Sequence, residues 1–130
     1  MSILNVLAAG VAGFLFGAVW YTVFAKQWMA ASGVPLDDSG TPVNRKDPVP
    51  YITSFLGAVL VAAMMQYLFE ISAIDSLGRG LWAGLGIGFF IVSPWIATFY
   101  SFGARPRKLI LIDGGYATFG CGTIGAVLTI

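Results

Sequence analysis

Four long apolar runs alternate with short polar segments along the chain. The runs cover residues 3–24, 51–70, 80–102 and 109–130. Each is about as long as the 20 or so residues that a helix needs to cross a bilayer. The charged residues within them are Glu70, at the end of the second run, and Asp113, inside the fourth. The pattern predicts an all-α membrane protein, with four transmembrane helices in a compact bundle that forms one domain over residues 1–130.

The composition excludes several classes of protein. Charged residues make up 10% of the chain and hydrophobic residues 58%, whereas soluble domains carry about 25% charged residues. So few charges cannot cover a soluble surface, which excludes a soluble enzyme, a nucleic-acid binder and a disordered chain. Histidine is absent and Cys121 is the single cysteine, so neither a haem or zinc site through His nor an intramolecular disulfide is expected. A bound lipid, quinone or pigment stays open.

The basic residues predict the orientation. Six of the seven lie in the first and third loops, residues 25–50 and 103–108: Lys26, Arg45, Lys46, Arg105, Arg107 and Lys108. Because cytoplasmic loops are enriched in Lys and Arg, these loops are expected in the cytoplasm and both termini outside, in the periplasm of a bacterial inner membrane. The segment around Trp28 predicts a short interfacial helix directly after the first span. The first span lacks a basic leader, so we expect it to be an uncleaved anchor.

Small residues recur at helical spacing in every span, which is how helices approach closely in lipid. The clearest positions are Gly13 and Gly17 in the first span, Gly80, Gly84 and Gly88 in the third, a doubled GxxxG, and Gly122 in the fourth. One interpretation is that these faces pack the bundle itself. The other is that some of them bind a partner or a second copy, for which the third span has the longest repeat.

Pro94 lies in the middle of the third span. It lacks a backbone N–H and frees the carbonyl of Phe90, so the helix is expected to kink there. The hydroxyl of Ser93 is placed to satisfy backbone groups that the kink leaves free.

Asp113 is the polar residue that most needs an explanation, because a carboxylate at membrane depth is costly and faces the bundle interior or a wet cavity. Counting inward from the loops places further polar or aromatic side chains at its level: Trp20, Tyr21, Lys26 and Tyr116. We expect Asp113 to pair with Lys26 or to accept a hydrogen bond from Tyr21 or Trp20. The cluster then acts either as a latch between the first and fourth spans or as a functional site.

Two sequence segments carry a resemblance to a known family. One comprises Gly17–Tyr21, Phe24–Met29 and Gly33; the other comprises Arg105–Leu109, Ile112–Tyr116 and Gly125. In these segments the chain resembles the bacterial integral membrane family catalogued as domain of unknown function 1761. The resemblance implies a four-span layout and a polar cluster on the cytoplasmic side. Ala117 stands where the family often has His, so a His-dependent role does not carry over to this chain.

Two functions are consistent with these features. The first is a non-enzymatic accessory or assembly subunit of a larger bacterial membrane complex, of respiratory or photosynthetic type, with membrane lipids, other integral membrane subunits or a second copy as partners. The second is a small oligomeric transporter or channel for a small solute or ion. An intramembrane enzyme is not expected, because no obvious nucleophile, base or metal site is present. Nucleic acid is not expected as a partner at a net charge of +1.

Overall fold

The computed structural model describes residues 2–130, which form helices joined by short loops. The helices are α1 (Ile3–Val23), α2 (Ala25–Ser32), α3 (Val49–Ile71), α4 (Leu77–Ile87), α5 (Ser93–Phe102) and α6 (Arg107–Leu128). A π-helical segment, Gly88–Val92, joins α4 to α5 and makes one continuous span of Leu77–Phe102. Four helices are therefore long and apolar enough to cross a membrane. The predicted all-α class and the four spans are confirmed.

The helix ends differ from the predicted ends by a few residues, for local reasons. The third span begins at Leu77 rather than at residue 80, because the hydroxyl of Ser76 accepts a hydrogen bond from the N–H of Arg79 and caps the first turn. Helix α3 begins at Val49 rather than at residue 51, and Pro50 lies in its first turn, since the first turn of a helix tolerates proline. Hydropathy marks apolar residues, so it misses capped polar first turns.

Helix α6 is the central element of the bundle. It packs against α1, α4, α5 and the π segment along its length, and more lightly against α3, which rests mainly on α1. The apolar core lies where α1, α3 and α6 meet, toward the end of the bundle away from α2. Its buried members are Val6, Ala9, Ala62, Met65, Phe69, Cys121, Ile124 and Leu128.

The doubled GxxxG of the third span faces α6 of the same chain. A Cβ atom on Gly84 would collide with the carbonyl oxygen of Cys121, and one on Gly88 would collide with the carbonyl oxygen of Ala117. A Cβ on Gly80 would likewise meet Gly125, so the two backbones touch directly. Such contacts suit helices in lipid, where packing replaces the hydrophobic effect. The interpretation of this repeat as the best surface for a partner or a second copy is therefore wrong.

The other predicted small-residue positions also pack inside the chain. Gly13 of α1 lies against Ile124 of α6, and Gly122 of α6 lies against Leu85 of α4. Gly17 of α1 leaves room for an aromatic ring of α6, described with the site below. The interpretation in which these faces assemble the bundle itself accounts for all six predicted glycines.

The distortion expected at Pro94 takes the form of the π-helical turn that precedes it. The backbone N–H of Ser93 bonds to the carbonyl of Gly88, five residues back. The Ser93 hydroxyl lies 2.8 Å from that same oxygen and 3.0 Å from the carbonyl oxygen of Gly114 in α6. Ser93 therefore hydrogen-bonds to the carbonyl of Gly88 rather than to that of Phe90. Its contact with Gly114 also connects the distorted turn to α6.

We predict that Gly84→Leu separates α4 from α6 and destabilises the protein strongly. The atom it meets is backbone, which cannot move aside as a side chain could, so we expect a loss of about 3 kcal/mol or more. The thermal unfolding midpoint in a mild detergent measures the effect. Gly86→Leu is the matched control, because a Cβ at Gly86 meets no atom within 4 Å. Equal midpoints for the two variants would contradict this account of the packing.

Candidate functional site

A cavity of about 820 Å³ lies between α3 and α5, with α1 and α6 forming its other walls. Helix α3 rests on α1 and α5 rests on α6, so the two pairs leave a cleft between them. One end of the cavity is bordered by the first loop, at Pro42 and Asn44. The other end lies deep in the bundle, at Val61 and Ile124. The size is typical of a site for a small molecule.

Asp113 lies in the wall of this cavity and joins three helices. The hydroxyl of Tyr21 in α1 donates to Oδ1 of Asp113 at 2.5 Å, and the hydroxyl of Tyr100 in α5 donates to Oδ2 at 2.7 Å. Both carboxylate oxygens are therefore hydrogen-bonded. Asp113 is six residues into α6, about 9 Å along the helix from its first residue at 1.5 Å per residue. The hydrogen bond to Tyr21 is one of the arrangements expected from the sequence.

Two reciprocal insertions hold α1 against α6 beside Asp113. The ring of Tyr116 in α6 lies against Gly17 of α1, and its hydroxyl donates to the carbonyl oxygen of Gly13 at 3.0 Å. The ring of Trp20 in α1 lies against Gly115 of α6. The Trp20 indole N–H donates to the carbonyl oxygen of Ile112 at 3.0 Å, not to Asp113 as the sequence had allowed. In each insertion a glycine makes room for an aromatic ring of the facing helix.

Lys26 does not pair with Asp113. It is exposed on α2, and among residues 2–130 the ion pair within 4.0 Å joins Arg79 and Asp75. Helix α2 presents Trp28 and Ser32 to the cavity. Because Lys26 is two residues before Trp28, about 200° around the helix, it points away. The expected pair of Lys26 with Asp113 is therefore wrong, because it depends on the side of α2 on which Lys26 lies.

Tyr100 is the residue of the cluster that sequence reasoning missed. It lies two residues before the end of the span Leu77–Phe102, at the same depth as Asp113. The signal that could have indicated Tyr100 is its position in the third span, a short distance inward from the third loop. Depth alone would still leave open whether Tyr100 faces α6 or lipid.

The mouth of the cavity is polar and basic. Arg45 and Arg105 both border it, and Arg105 Nη2 donates to the carbonyl oxygen of Ser32 at the end of α2, at 2.5 Å. The hydroxyl of Tyr51 at the start of α3 donates to the carbonyl oxygen of Arg45 at 3.0 Å. These two bonds attach the end of α2 to the third loop and the first loop to the start of α3.

A compact turn within the first loop supports this mouth. The Asp37 carboxylate accepts hydrogen bonds from the Ser39 hydroxyl at 2.7 Å and from the Thr41 N–H at 3.0 Å. These bonds, that of Ser39 foremost, hold the pKa of Asp37 below its usual range. Gly40 completes the turn with a φ of 81°, a conformation that glycine adopts without strain.

The cavity combines apolar walls with a few polar groups. Aliphatic and small residues form most of its lining, and the polar atoms are concentrated at Asp113 and at the mouth. Residues 2–130 contain no group of three His, Cys, Asp or Glu side chains that could hold a metal ion. The arrangement is suited to holding an amphiphilic molecule, with its polar part near Asp113 or the mouth and its apolar part deeper.

These features define a multi-pass membrane protein with a cavity in the cleft between α3 and α5. The chain belongs to the family described as "Protein of unknown function (DUF1761)", whose model matches residues 4–129. The resemblance noted in the sequence is therefore confirmed over nearly the whole chain. No curated protein and no solved structure matches the chain.

We predict that Tyr21→Phe weakens the attachment of α1 to α6. The change leaves Oδ1 of Asp113 without its donor, and we expect the free energy of unfolding to fall by about 1–2 kcal/mol, as for interhelical hydrogen bonds in membranes. Unfolding in mixed micelles measures it. Tyr67→Phe is the control, because the Tyr67 hydroxyl is exposed and has no hydrogen-bond partner among residues 2–130. A Tyr21→Phe protein as stable as the Tyr67→Phe protein would show that the bond contributes little.

Proposed function

We propose that this protein is a non-enzymatic membrane carrier that binds a small amphiphilic solute in the cavity between α3 and α5. The observation that carries the proposal is the cavity itself, about 820 Å³ in volume with a hydrogen-bonded carboxylate in its wall. The first loop and α2, which carry Pro42 and Trp28, border the opening rather than cover the cavity.

The form of the cavity favours a carrier over an open channel. Beyond Val61 and Ile124 the bundle is filled by the apolar core, in which Ala62 and Met65 are fully buried. The cavity is thus bounded at its deep end by the apolar core and does not continue through the bundle, as expected for a protein that binds and releases a solute. The π-helical turn at Gly88–Val92 lies along the cavity, with Val92 in its wall, and is a point at which a helix can change shape.

The orientation is part of the proposal. The cavity mouth carries Arg45 and Arg105, and the six basic residues of the first and third loops lie in segments at this end of the bundle. The positive-inside rule places such loops in the cytoplasm. The cavity would then open toward the cytoplasm of a bacterium, with both termini in the periplasm.

We predict that filling the cavity abolishes binding of a neutral amphiphile. Gly57 lines the cavity on the same face of α3 as Ser54 and Val61, and a Cβ placed there meets no atom within 4 Å. Gly57→Phe should therefore occupy the space without disturbing the fold. The probe is 4-bromobenzyl alcohol, whose bromine quenches tryptophan, in protein carrying Trp82→Phe and Trp95→Phe. Of the two tryptophans that remain, Trp28 lines the cavity and Trp20 does not, so quenching by a bound probe is expected at Trp28.

We expect 4-bromobenzyl alcohol to quench this reporter protein in a saturable way. After Gly57→Phe, the affinity of the protein for the probe should be at least tenfold weaker. Gly86→Phe is the matched control, because it adds the same ring at an equally open position outside the cavity. Its quenching should equal that of the reporter protein. Quenching that does not saturate, or that is the same in both phenylalanine variants, would refute binding in the cavity.

A second candidate is an accessory or assembly subunit of a larger bacterial membrane complex. The observation that favours it is the aromatic outer surface of the third span, where Trp82, Phe89, Phe90, Trp95, Phe99 and Phe102 are exposed. Aromatic residues are common at interfaces between subunits. The small-residue faces no longer support this candidate, because they are used within the chain.

Purification from the native host in a mild detergent tests the second candidate. An accessory subunit should migrate in a large complex whose other subunits are identified by mass spectrometry. Replacing Trp82 and Phe89 by Leu, which keeps the surface apolar, should release it from that complex. A wild-type protein that migrates alone, or only with itself, would contradict the accessory role.

A further inference from the structure

The Asp113 carboxylate has hydrogen-bond donors but no Lys or Arg within ion-pair distance among residues 2–130. Tyr21 and Tyr100 donate to its two oxygens, an arrangement that suits an ionised carboxylate, which only accepts. No Lys or Arg among residues 2–130 lies within 4.0 Å of it, the ion pair in this part of the chain being Arg79–Asp75. Asp113 is also beyond the first turn of α6, where the helix dipole no longer matters.

The nearest cations in the cavity wall are at its mouth. Arg105 is exposed and its guanidinium is directed to the carbonyl oxygen of Ser32. Arg45 is exposed on the loop, and Lys26 faces away on α2. Screening by water weakens the attraction of exposed charges for a group deeper in the bundle. Among residues 2–130, no Lys or Arg side chain therefore pairs directly with this carboxylate, and a carboxylate in an apolar setting is stable where it is paired.

Aromatic rings line the cavity wall beside this carboxylate. The rings of Tyr21 and Tyr116 meet at 5.5 Å between centroids, and those of Tyr21 and Trp28 meet at 6.3 Å, in both cases edge to face. Tyr100 completes the lining on the α5 side, and Phe14 lies deeper in the cavity. The faces of aromatic rings attract cations, most strongly where water is excluded.

The remaining walls determine which kind of cation fits. Gly57, Ala58, Val61 and Ile96 offer no oxygen ligands in their side chains, whereas a bare metal ion needs several oxygen ligands to replace its water. An organic cation with an apolar body loses little hydration on entering. The volume of about 820 Å³ also far exceeds the space for an inorganic ion.

The geometry points to a hydrophobic organic cation as the ligand of this cavity, with Asp113 as its counter-ion and the rings of Tyr21, Trp28 and Tyr116 around its charged part. This inference rests on the proposed binding function and specifies its ligand. Entry of the cation neutralises the carboxylate, while its apolar groups occupy the space beside Gly57 and Val61.

Two ions of nearly the same shape and opposite charge test the inference. Tetraphenylphosphonium is the cation and tetraphenylborate the anion, and their binding to the wild-type protein is measured by equilibrium dialysis in dodecyl maltoside, with protein-free micelles subtracted. We expect the cation to bind at least tenfold more tightly than the anion. The cavity-filled Gly57→Phe protein, which should bind neither, corrects for adsorption elsewhere on the protein.

Asp113→Asn removes the charge and keeps the shape of the side chain. It should weaken binding of tetraphenylphosphonium at least tenfold and leave binding of tetraphenylborate unchanged or stronger. If this variant does not fold, the comparison of the two ions in the wild-type protein decides the matter without it. An unchanged affinity of folded Asp113→Asn for the cation would overturn the role of Asp113.

The outcomes separate this inference from the proposed function. Equal binding of both ions, lost in Gly57→Phe, would overturn the cation preference and leave cavity binding intact. Preference for the anion would also overturn it and assign the site to an anionic ligand at Arg45 and Arg105. If 4-bromobenzyl alcohol binds and neither ion does, the inference of a cationic ligand is overturned and the proposed binding function is not. If none of the three binds, both proposals fall.

Discussion

The direct contact between the backbones of α4 and α6 is the interaction on which the rest of the structure depends. Lipid gives helices no hydrophobic reason to associate, so the free energy must come from close packing. Gly80, Gly84 and Gly88 allow it by bringing α4 onto the carbonyl oxygens of α6. Once α6 is held there, Ser93 reaches the carbonyl of Gly114, and Tyr100 comes within hydrogen-bond distance of Asp113. The close contact between α4 and α6 thus positions Tyr100 against Asp113.

The same constraint explains why the bundle contains a cavity. Helix α6 engages α1 and the third span through glycines on several of its faces, while α3 has its close contacts with α1, as at Gly10 and Val59. No comparable small-residue face joins α3 to α5. The space between them is left open and its walls are apolar, except where Asp113 and its two tyrosines interrupt them. The packing that stabilises the protein and the cavity proposed to serve its function therefore have one cause.

Much of the site could be predicted by counting residues, and the part that could not depends on direction. The depth of Asp113 in the fourth span brought Trp20, Tyr21 and Tyr116 to the same level, and all three lie where α1 meets α6. The same count placed Lys26 nearby, but Lys26 faces away from the bundle. Rise per residue is constant along a helix, so depth is reliable. Which way a side chain points depends on the rotation of each helix about its axis, which the neighbouring helices decide.

The sequence by itself determined the class of protein, the four spans, the short helix after the first span and the membership of the family. These follow from local properties: hydropathy, length, spacing and motif. Only the tertiary structure decided that the doubled GxxxG is used within the chain, that Tyr100 shares Asp113 with Tyr21, and that α3 and α5 enclose a cavity. The physical reason is that a glycine face or a carboxylate within a span requires a partner, but the local sequence does not determine which one. The partner is set by which helices come together, and that is a property of the whole bundle.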